Sequence, residues 1–182
     1  LRDVGILIGG DNNKILGCFI GTNAAGTAIG GSYESTGIFV YGSANEIGDG
    51  TAAGANLISG SAWNGVGGGI RLEYLTPQGS PGTGGDNNLI MGNLIGLQVD
   101  GTNQIAASNS ISGIHLGTGT ADEVSFNVIG GITTGQGNVI SGNGAGIAFS
   151  GRAISNSAYG NIIGPCADGI SYVPSNRQGT GI

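Results

Sequence analysis

The chain has 182 residues, which is enough for one domain with a sizeable core. It holds 41 glycines, only four prolines and 9% charged residues, which excludes the charged or proline-rich compositions of most disordered chains. The net charge is −6 and the five basic residues are scattered, so we expect no nucleic-acid partner. No run of about twenty apolar residues is present, so we expect no membrane span.

Short apolar clusters recur along the chain, bounded by glycine and asparagine. A Gly-Ile step opens six of them, namely GILI (5–8), GIFV (37–40), GIRL (69–72), GIHL (113–116), GIAF (146–149) and GISY (169–172). Ile, Leu and Val alternate with other residues in the clusters, which is the period of a strand with one buried face. Glycine and asparagine tolerate the left-handed backbone of sharp corners. Each cluster therefore predicts a strand that begins a new turn of the chain.

Longer segments also match one another. NKILGCFIGTNAAG (13–26) matches NLIMGNLIGLQVDG (88–101), which matches YGNIIGPCADG (159–169), while ANLISGS (55–61) matches GNVISGN (137–143). Two kinds of coil therefore alternate, and each must stack on its neighbours to bury its apolar side. We expect the recurring asparagines to form hydrogen-bonded ladders between coils; these are Asn45, Asn56, Asn88, Asn127 and Asn138.

GNLIG with a following Asp-Gly, and GNVISGN followed by Gly-Ile, resemble the repeats of right-handed parallel β-helix proteins of the pectin-lyase-like superfamily. The likeness covers nearly the whole chain. It implies an all-β fold, a right-handed parallel β-helix (solenoid) of about five to six coils with a Gly/Pro loop insertion near 75–86. We expect a single domain over 1–182, a fragment or mature segment of a longer repeat protein. The fold hosts lyases, hydrolases, adhesins and passive surface proteins, so the resemblance implies no single activity.

Strand alternation also predicts which side chains face outward. If the isoleucine of each Gly-Ile step faces inward, the first and third residues after it face outward. Neighbouring strands lie about 4.8 Å apart, so these outward residues come together on one face. The predicted patch consists of Phe39, Tyr41, Arg71, Glu73 and His115. Aromatic rings and charges of both signs are typical of carbohydrate-binding surfaces; the alternative is an outer face without a ligand. The same alternation assigns Ser171 and Val173 to the outer face of a sixth strand.

We predict no catalytic residues, metal ions or cofactors. The polygalacturonase-like signatures N-T-D, G-H-G and R-I-K are absent, and Glu73 stands without the second carboxylate that glycosidic acid–base chemistry needs. Arg71 beside Glu73 is interpreted as an ion-pair partner or as outward decoration, and not as a base. GGDNNKI (9–15) and GTGGDNNLI (82–90) resemble calcium-binding nonapeptides but lack their immediate tandem repetition. Their aspartates are interpreted as turn residues, as are Asp100 and Asp168 before glycine.

Function is predicted from these features together. We expect a non-enzymatic structural or adhesive module of a secreted or cell-surface protein, with end-to-end self-association through open strand edges. One alternative is a domain that binds or cleaves a polysaccharide or cell-surface glycan through the patch; another is a phage tail-fibre-like component. Cys18 and Cys166 are predicted to lie four coils, about 19 Å, apart, which excludes a disulfide between them.

Overall fold

The computed structural model describes residues 4–30, 36–61, 68–74, 84–105, 109–117 and 123–173. These residues form short β-strands and no helix, so the predicted all-β class is confirmed. Of the predicted loop insertion near 75–86, residues 75–83 lie outside the described part. The strands are β1 (Val4–Ile8), β2 (Lys14–Ile15), β3 (Phe19–Ile20), β4 (Thr36–Val40), β5 (Glu46–Ile47), β6 (Leu57–Ile58), β7 (Gly68–Leu72), β8 (Leu89–Ile90), β9 (Leu94–Ile95), β10 (Ser112–Leu116), β11 (Glu123–Ser125), β12 (Val128–Gly130), β13 (Val139–Ile140), β14 (Ala145–Phe149), β15 (Arg152–Ile154), β16 (Ser157–Tyr159) and β17 (Ile162–Ile163).

Three five-stranded sheets contain most of these strands, and all their pairings are parallel. Sheet A has the order β1-β4-β7-β10-β14, sheet B β2-β5-β8-β12-β16 and sheet C β3-β6-β9-β13-β17, while β11 and β15 form a separate pair. Along the described chain, strands therefore enter sheets A, B and C in turn, five times over. We call each passage a unit, so that unit 1 begins with β1 and unit 5 with β14. Units stacked through parallel sheets are consistent with a solenoid.

Isoleucine stacks in register in every sheet and forms the core. The sheet A column is Ile6, Ile38, Ile70, Ile114 and Ile147; the sheet B column is Ile15, Ile47, Ile90 and Ile129, followed by Ala158; the sheet C column is Ile20, Ile58, Ile95, Ile140 and Ile163. All belong to one apolar cluster between the three sheets. Burying each such side chain contributes about 1.5–3 kcal/mol, and only a neighbouring unit can complete that burial.

Asparagine ladders join the units at two corners, and all five predicted asparagines belong to them. In the first ladder, at the entry to sheet B, each side-chain amide donates to Oδ1 of the asparagine in the next unit; the members are Asn13, Asn45, Asn88, Asn127 and Asn156. The second, at the entry to sheet C, consists of Asn56, Asn93, Asn138 and Asn161. Cys18 occupies its position in unit 1, where the Cys18 backbone N–H donates to Asn56 Oδ1 at 2.9 Å.

The corner before the first ladder has the same backbone conformation in all five units. The residue that precedes each ladder asparagine has a φ between 54° and 60°; these residues are Asn12, Ala44, Asn87, Phe126 and Ser155. Asparagine adopts this left-handed conformation readily, whereas other L-residues pay about 1–2 kcal/mol. Stacking on neighbouring units therefore imposes the corner at Ala44, Phe126 and Ser155 against their local preference.

The units are of two alternating kinds, as the sequence repeats predict. Odd units (1, 3 and 5) turn directly from sheet B to sheet C and then form a hairpin, over 21–30, 96–105 and 164–173. Even units (2 and 4) have a longer connection from sheet B to sheet C, over 48–56 and 131–138. The three hairpins share one backbone hydrogen bond, which runs from Asn23 N to Ala28 O, from Gln98 N to Asn103 O and from Cys166 N to Ser171 O.

One predicted strand is wrong. The GISY cluster at 169–172 lies in the third hairpin and not in sheet A. Gly169 has a φ of 72° and its N–H donates to Cys166 O, while Val173 is buried against Leu97 and Cys166 instead of facing outward. The error arises because the Asp-Gly turn of this hairpin is followed by isoleucine, which reproduces the Gly-Ile step of a strand.

Candidate functional site

The predicted patch lies on the outer face of sheet A. Strand pairing sets Phe39 of β4 beside Arg71 of β7, and Arg71 beside His115 of β10. Tyr41 and Glu73 follow two residues after Phe39 and Arg71 in the same units. The register therefore brings the predicted residues together on three neighbouring units, as the alternation of the strands requires.

The patch is less open than the sequence predicts. Phe39 is only 4% exposed and Glu73 only 9%, whereas Tyr41, Arg71 and His115 are half-buried. The Phe39 and Tyr41 rings are tilted against each other with centroids 6.3 Å apart, and Arg71 Cζ lies 6.0 Å from the Phe39 centroid. Phe39 thus packs among its neighbours outside the isoleucine core, and it presents little of its ring to a ligand.

Arg71 and Glu73 form an ion pair on the same strand face, which is one of the two arrangements that the sequence predicts. The Glu73 side chain is nearly buried and the Arg71 side chain retains about a third of its exposure. Breaking such a pair leaves a poorly solvated charge, which is costly. The Glu73 carboxylate is therefore bound by the Arg71 guanidinium and is poorly placed to act as a free general base.

His115 has a partner that the sequence did not identify. Its Nε2 lies 2.7 Å from Ser150 Oγ, and Ser150 Oγ also donates to Gly117 O at 2.5 Å. Because a hydroxyl has one proton, the bond to Gly117 leaves Ser150 to accept from Nε2–H. The imidazole then cannot take the serine proton, as a general base must. Strand alternation places Ser150 on the outer face, but only the register shows that it meets His115.

Burial lowers the pKa of His115 below its usual value, and the nearby Arg71 charge lowers it further. Both effects favour the neutral imidazole, in agreement with a ring that donates one N–H to Ser150. Arg71, the residue beside His115 on the neighbouring strand, is a cation, whereas a catalytic triad uses a carboxylate to stabilise an imidazolium. The His115–Ser150 pair joins units 4 and 5 through their side chains.

The aspartates hold backbone groups. Asp100 accepts from the N–H of Thr102, and Asp168 accepts from the N–H groups of Ile170 and Ser171, so both are turn residues as interpreted. The bond from Thr102 lowers the pKa of Asp100, and the pKa of Asp168 is lowered first by the Ser171 hydroxyl and then by the two N–H groups.

Asp11 and Asp86 instead connect units. Asp11 Oδ1 accepts from Ser43 N at 2.7 Å, and Asp86 Oδ1 accepts from Ser125 N at 2.6 Å. The interpretation of these two as residues serving their own turns is therefore incomplete, because the donors stand in the following unit.

The two cysteines are free, and they lie in different surroundings. Cys18 is half-buried at the first ladder position of the second corner, where its thiol donates to Leu16 O at 3.3 Å. Cys166 is buried in the third hairpin, where its thiol donates to Thr102 O at 3.4 Å. Burial raises the pKa of Cys166, and Asp168 and Asp100 raise it further.

The described ranges contain no group of three or more His, Cys, Asp or Glu side chains that could hold a metal ion. Within the same ranges, no helix is long and apolar enough to cross a membrane. Comparison with known proteins found no family model that matches the chain and no significant match to a curated protein or to a solved structure.

Proposed function

We propose that the five units are coils of a right-handed parallel β-helix, and that the chain is a non-enzymatic structural or adhesive module of a secreted or cell-surface protein. The succession of sheets A, B and C supports the helix, since parallel crossovers are right-handed in nearly all proteins. The resemblance of its repeats to those of the pectin-lyase-like superfamily supports the same handedness.

The observation that carries this proposal is that the polar groups of the candidate patch bind one another. Arg71 is paired with Glu73, and His115 with Ser150, whose own proton goes to Gly117. Acid–base chemistry on a glycosidic bond needs two carboxylates on one face, and this face has Glu73 alone among the described residues. An outer face whose charges are neutralised internally fits a scaffold better than an active site.

The connections between units suit a stiff scaffold. One continuous isoleucine core passes through all the units, and buried ladder asparagines bind across each interface between them. Local opening of one unit would expose apolar surface and leave buried amides without partners on both sides. The module therefore resists bending and partial unfolding, and it does so with a few residue types repeated in every unit.

A screen for polysaccharide cleavage and glycan binding, with and without added calcium, tests the proposal. We expect the purified chain to cleave no polysaccharide. Cleavage that disappears in Glu73→Gln, while circular dichroism shows an intact fold, would overturn the proposal and make the patch an active site.

Carbohydrate binding without cleavage is the second candidate function. The observation that favours it is the half-exposed ring of Tyr41 next to Arg71 and His115 on one face. Binding through this face would be lost in Tyr41→Ala and kept in Tyr159→Ala, a matched exposed tyrosine on sheet B. Loss in both variants, or in neither, would argue against a site at the patch.

A further inference from the structure

The ladders have a direction, so the two edges of the stack differ. Within the stack, the amide of each ladder asparagine donates one N–H to Oδ1 in the following unit. In the second ladder, and at Asn88 in the first, the other N–H goes to a carbonyl of the preceding unit, whereas at Asn127 it goes to Ser125 O of the same unit. Asn93, for example, donates to Asn138 Oδ1 at 3.0 Å and to Ile47 O at 2.8 Å. The backbone N–H of Asn93 also donates to Asn138 Oδ1. Each interface therefore needs donors from one unit and an Oδ1 acceptor from the next.

Within the part of the chain that the structure describes, the donors of unit 5 have no partner on the following side. Asn156 donates to Val124 O at 2.8 Å and Asn161 to Ile129 O at 2.9 Å, both on the preceding side. Among the described residues, no acceptor lies on the other side of either amide or of either backbone N–H. We call this surface the unit-5 edge; it consists of β14, β16, β17 and the hairpin 164–173. Its apolar residues are also uncovered, since Phe149 and Ile170 are exposed and Ile163 is only half-buried.

The hairpins restrict what can cover this edge. Hairpins of odd units contact one another directly although an even unit lies between them: Val99 N donates to Gly26 O at 2.9 Å, and Ala167 N donates to Gly101 O at 3.0 Å. Each hairpin therefore fills the thickness of two units.

The intervening even unit contributes only a short serine corner. Ser59 Oγ donates to Leu97 O at 2.9 Å, and Ser141 Oγ donates to Gly164 O at 2.5 Å. An odd unit placed directly on another odd unit would set two hairpins in a space that holds one.

We propose that the unit-5 edge is a docking surface for a further unit of the even kind, with asparagine at both ladder positions and no hairpin after sheet C. Such a unit continues the interface that unit 4 forms with unit 3. Its two Oδ1 atoms accept from Asn156 and Asn161, and its serine corner lies against the hairpin 164–173. The occupant is thus defined by its ladder residues and by the length of its corners.

A second copy of this chain does not fit the edge. The unit that it would present is unit 1, which is odd and carries the hairpin 21–30. At the second ladder position unit 1 has Cys18, whose sulfur is a weak acceptor for the Asn161 donors. Head-to-tail stacking of two copies therefore places two hairpins in one space and leaves the Asn161 donors without a strong acceptor. A unit of the even kind, and not a second copy of the chain, is the occupant that fits the unit-5 edge.

Two extended chains test this directly. In sequence, Gly181-Ile182 follows the third hairpin at the spacing at which Gly113-Ile114 follows the second. The full chain extended by a second copy of 115–143 gains an even unit, and the full chain extended by a copy of 71–105 gains an odd unit with the same ladder asparagines. The two differ chiefly in the corners and the hairpin.

The measurement is hydrogen exchange of the Asn156 and Asn161 backbone amides, with the urea midpoint as a check that each chain is folded. We expect the even extension to slow exchange roughly a hundredfold, because these amides become buried in ladders. The odd extension should leave exchange unchanged. Equal protection by both extensions, protection by neither, or amides already slow in the unextended chain would each overturn the proposal.

Sedimentation of the unextended chain provides a test that needs no added unit. Cys18→Asn restores the missing ladder acceptor but leaves the hairpins in place, so we expect both the parent chain and this variant to remain monomeric at increasing concentration. Concentration-dependent oligomers of either chain, with slowed exchange at Asn161, would identify a second copy as the occupant and overturn the assignment.

Discussion

The side-chain amide of Asn93 donates to Oδ1 of Asn138 at 3.0 Å, between two fully buried residues. Asn93 also donates to Ile47 O, and its own Oδ1 accepts from the Asn56 amide at 2.8 Å. One side chain thereby connects units 2, 3 and 4. Since polar groups buried without partners are costly, this ladder is worth more to stability than its size suggests.

We expect Asn93→Ala to lower the free energy of unfolding by about 3 kcal/mol, because each buried group left without a partner costs about 1–3 kcal/mol. Urea denaturation measures the change. Asn13→Ala is the matched control: Asn13 is exposed at the edge of the first ladder, so its loss should cost less than about 1 kcal/mol. Equal losses at the two positions would contradict the role assigned to buried ladders.

Ala44→Gly should stabilise the protein. Ala44 has a φ of 56°, a conformation that costs a non-glycine residue about 1–2 kcal/mol, while glycine adds some entropy to the unfolded chain. We expect a net gain of about 0.5–1 kcal/mol in the urea-derived free energy of unfolding. Ala25→Gly, at an exposed hairpin residue whose φ is not positive, should give no gain. A destabilised Ala44→Gly would show that the corner is not strained.

Acid should weaken the fold through His115. Burial and then the Arg71 charge lower the pKa of His115 in the folded protein below the ordinary value of 6.5. The unfolded chain therefore binds the proton more readily, so this contribution to stability is complete above about pH 6.5 and is lost as pH falls toward the folded pKa.

Urea midpoints measured at about pH 7.5 and about pH 5 reveal this loss. His115→Gln removes the only histidine, and its midpoint should fall less between the two conditions. The same fall in the parent and in His115→Gln would assign the acid sensitivity to the carboxylates.

The two thiols should react at different rates. Cys166 is 1% exposed, and burial followed by the charges of Asp168 and Asp100 raises its pKa, whereas Cys18 is half-buried near the edge of the stack. Because thiolate is the reactive form, we expect a thiol reagent at mildly alkaline pH to modify Cys18 at least about tenfold faster. Cys18→Ser should retain only the slow phase and Cys166→Ser only the fast one. If neither thiol of the native chain reacted with the reagent, the conclusion that both cysteines are free would be contradicted.

The local pattern of the sequence determined much of this fold. Alternating isoleucines predict the sheet A strands at Gly-Ile steps, and repeated asparagines predict the ladders, because both depend on spacing within a single unit. The alternation of two kinds of unit is also readable, since equivalent segments such as 88–101 and 159–169 match directly. At GISY the same pattern misled, because an Asp-Gly turn followed by isoleucine looks like the start of a strand.

Which side chains meet across units depends on the three-dimensional stacking. His115 reaches Ser150 and Asp86 reaches Ser125 from 35 and 39 residues away, and the Phe39 ring lies near Arg71 of the following unit. Such contacts depend on the register between units and on loops of unequal length. A sequence period specifies which face a residue lies on; the surroundings of that face, and hence the burial and pKa of its groups, follow from stacking.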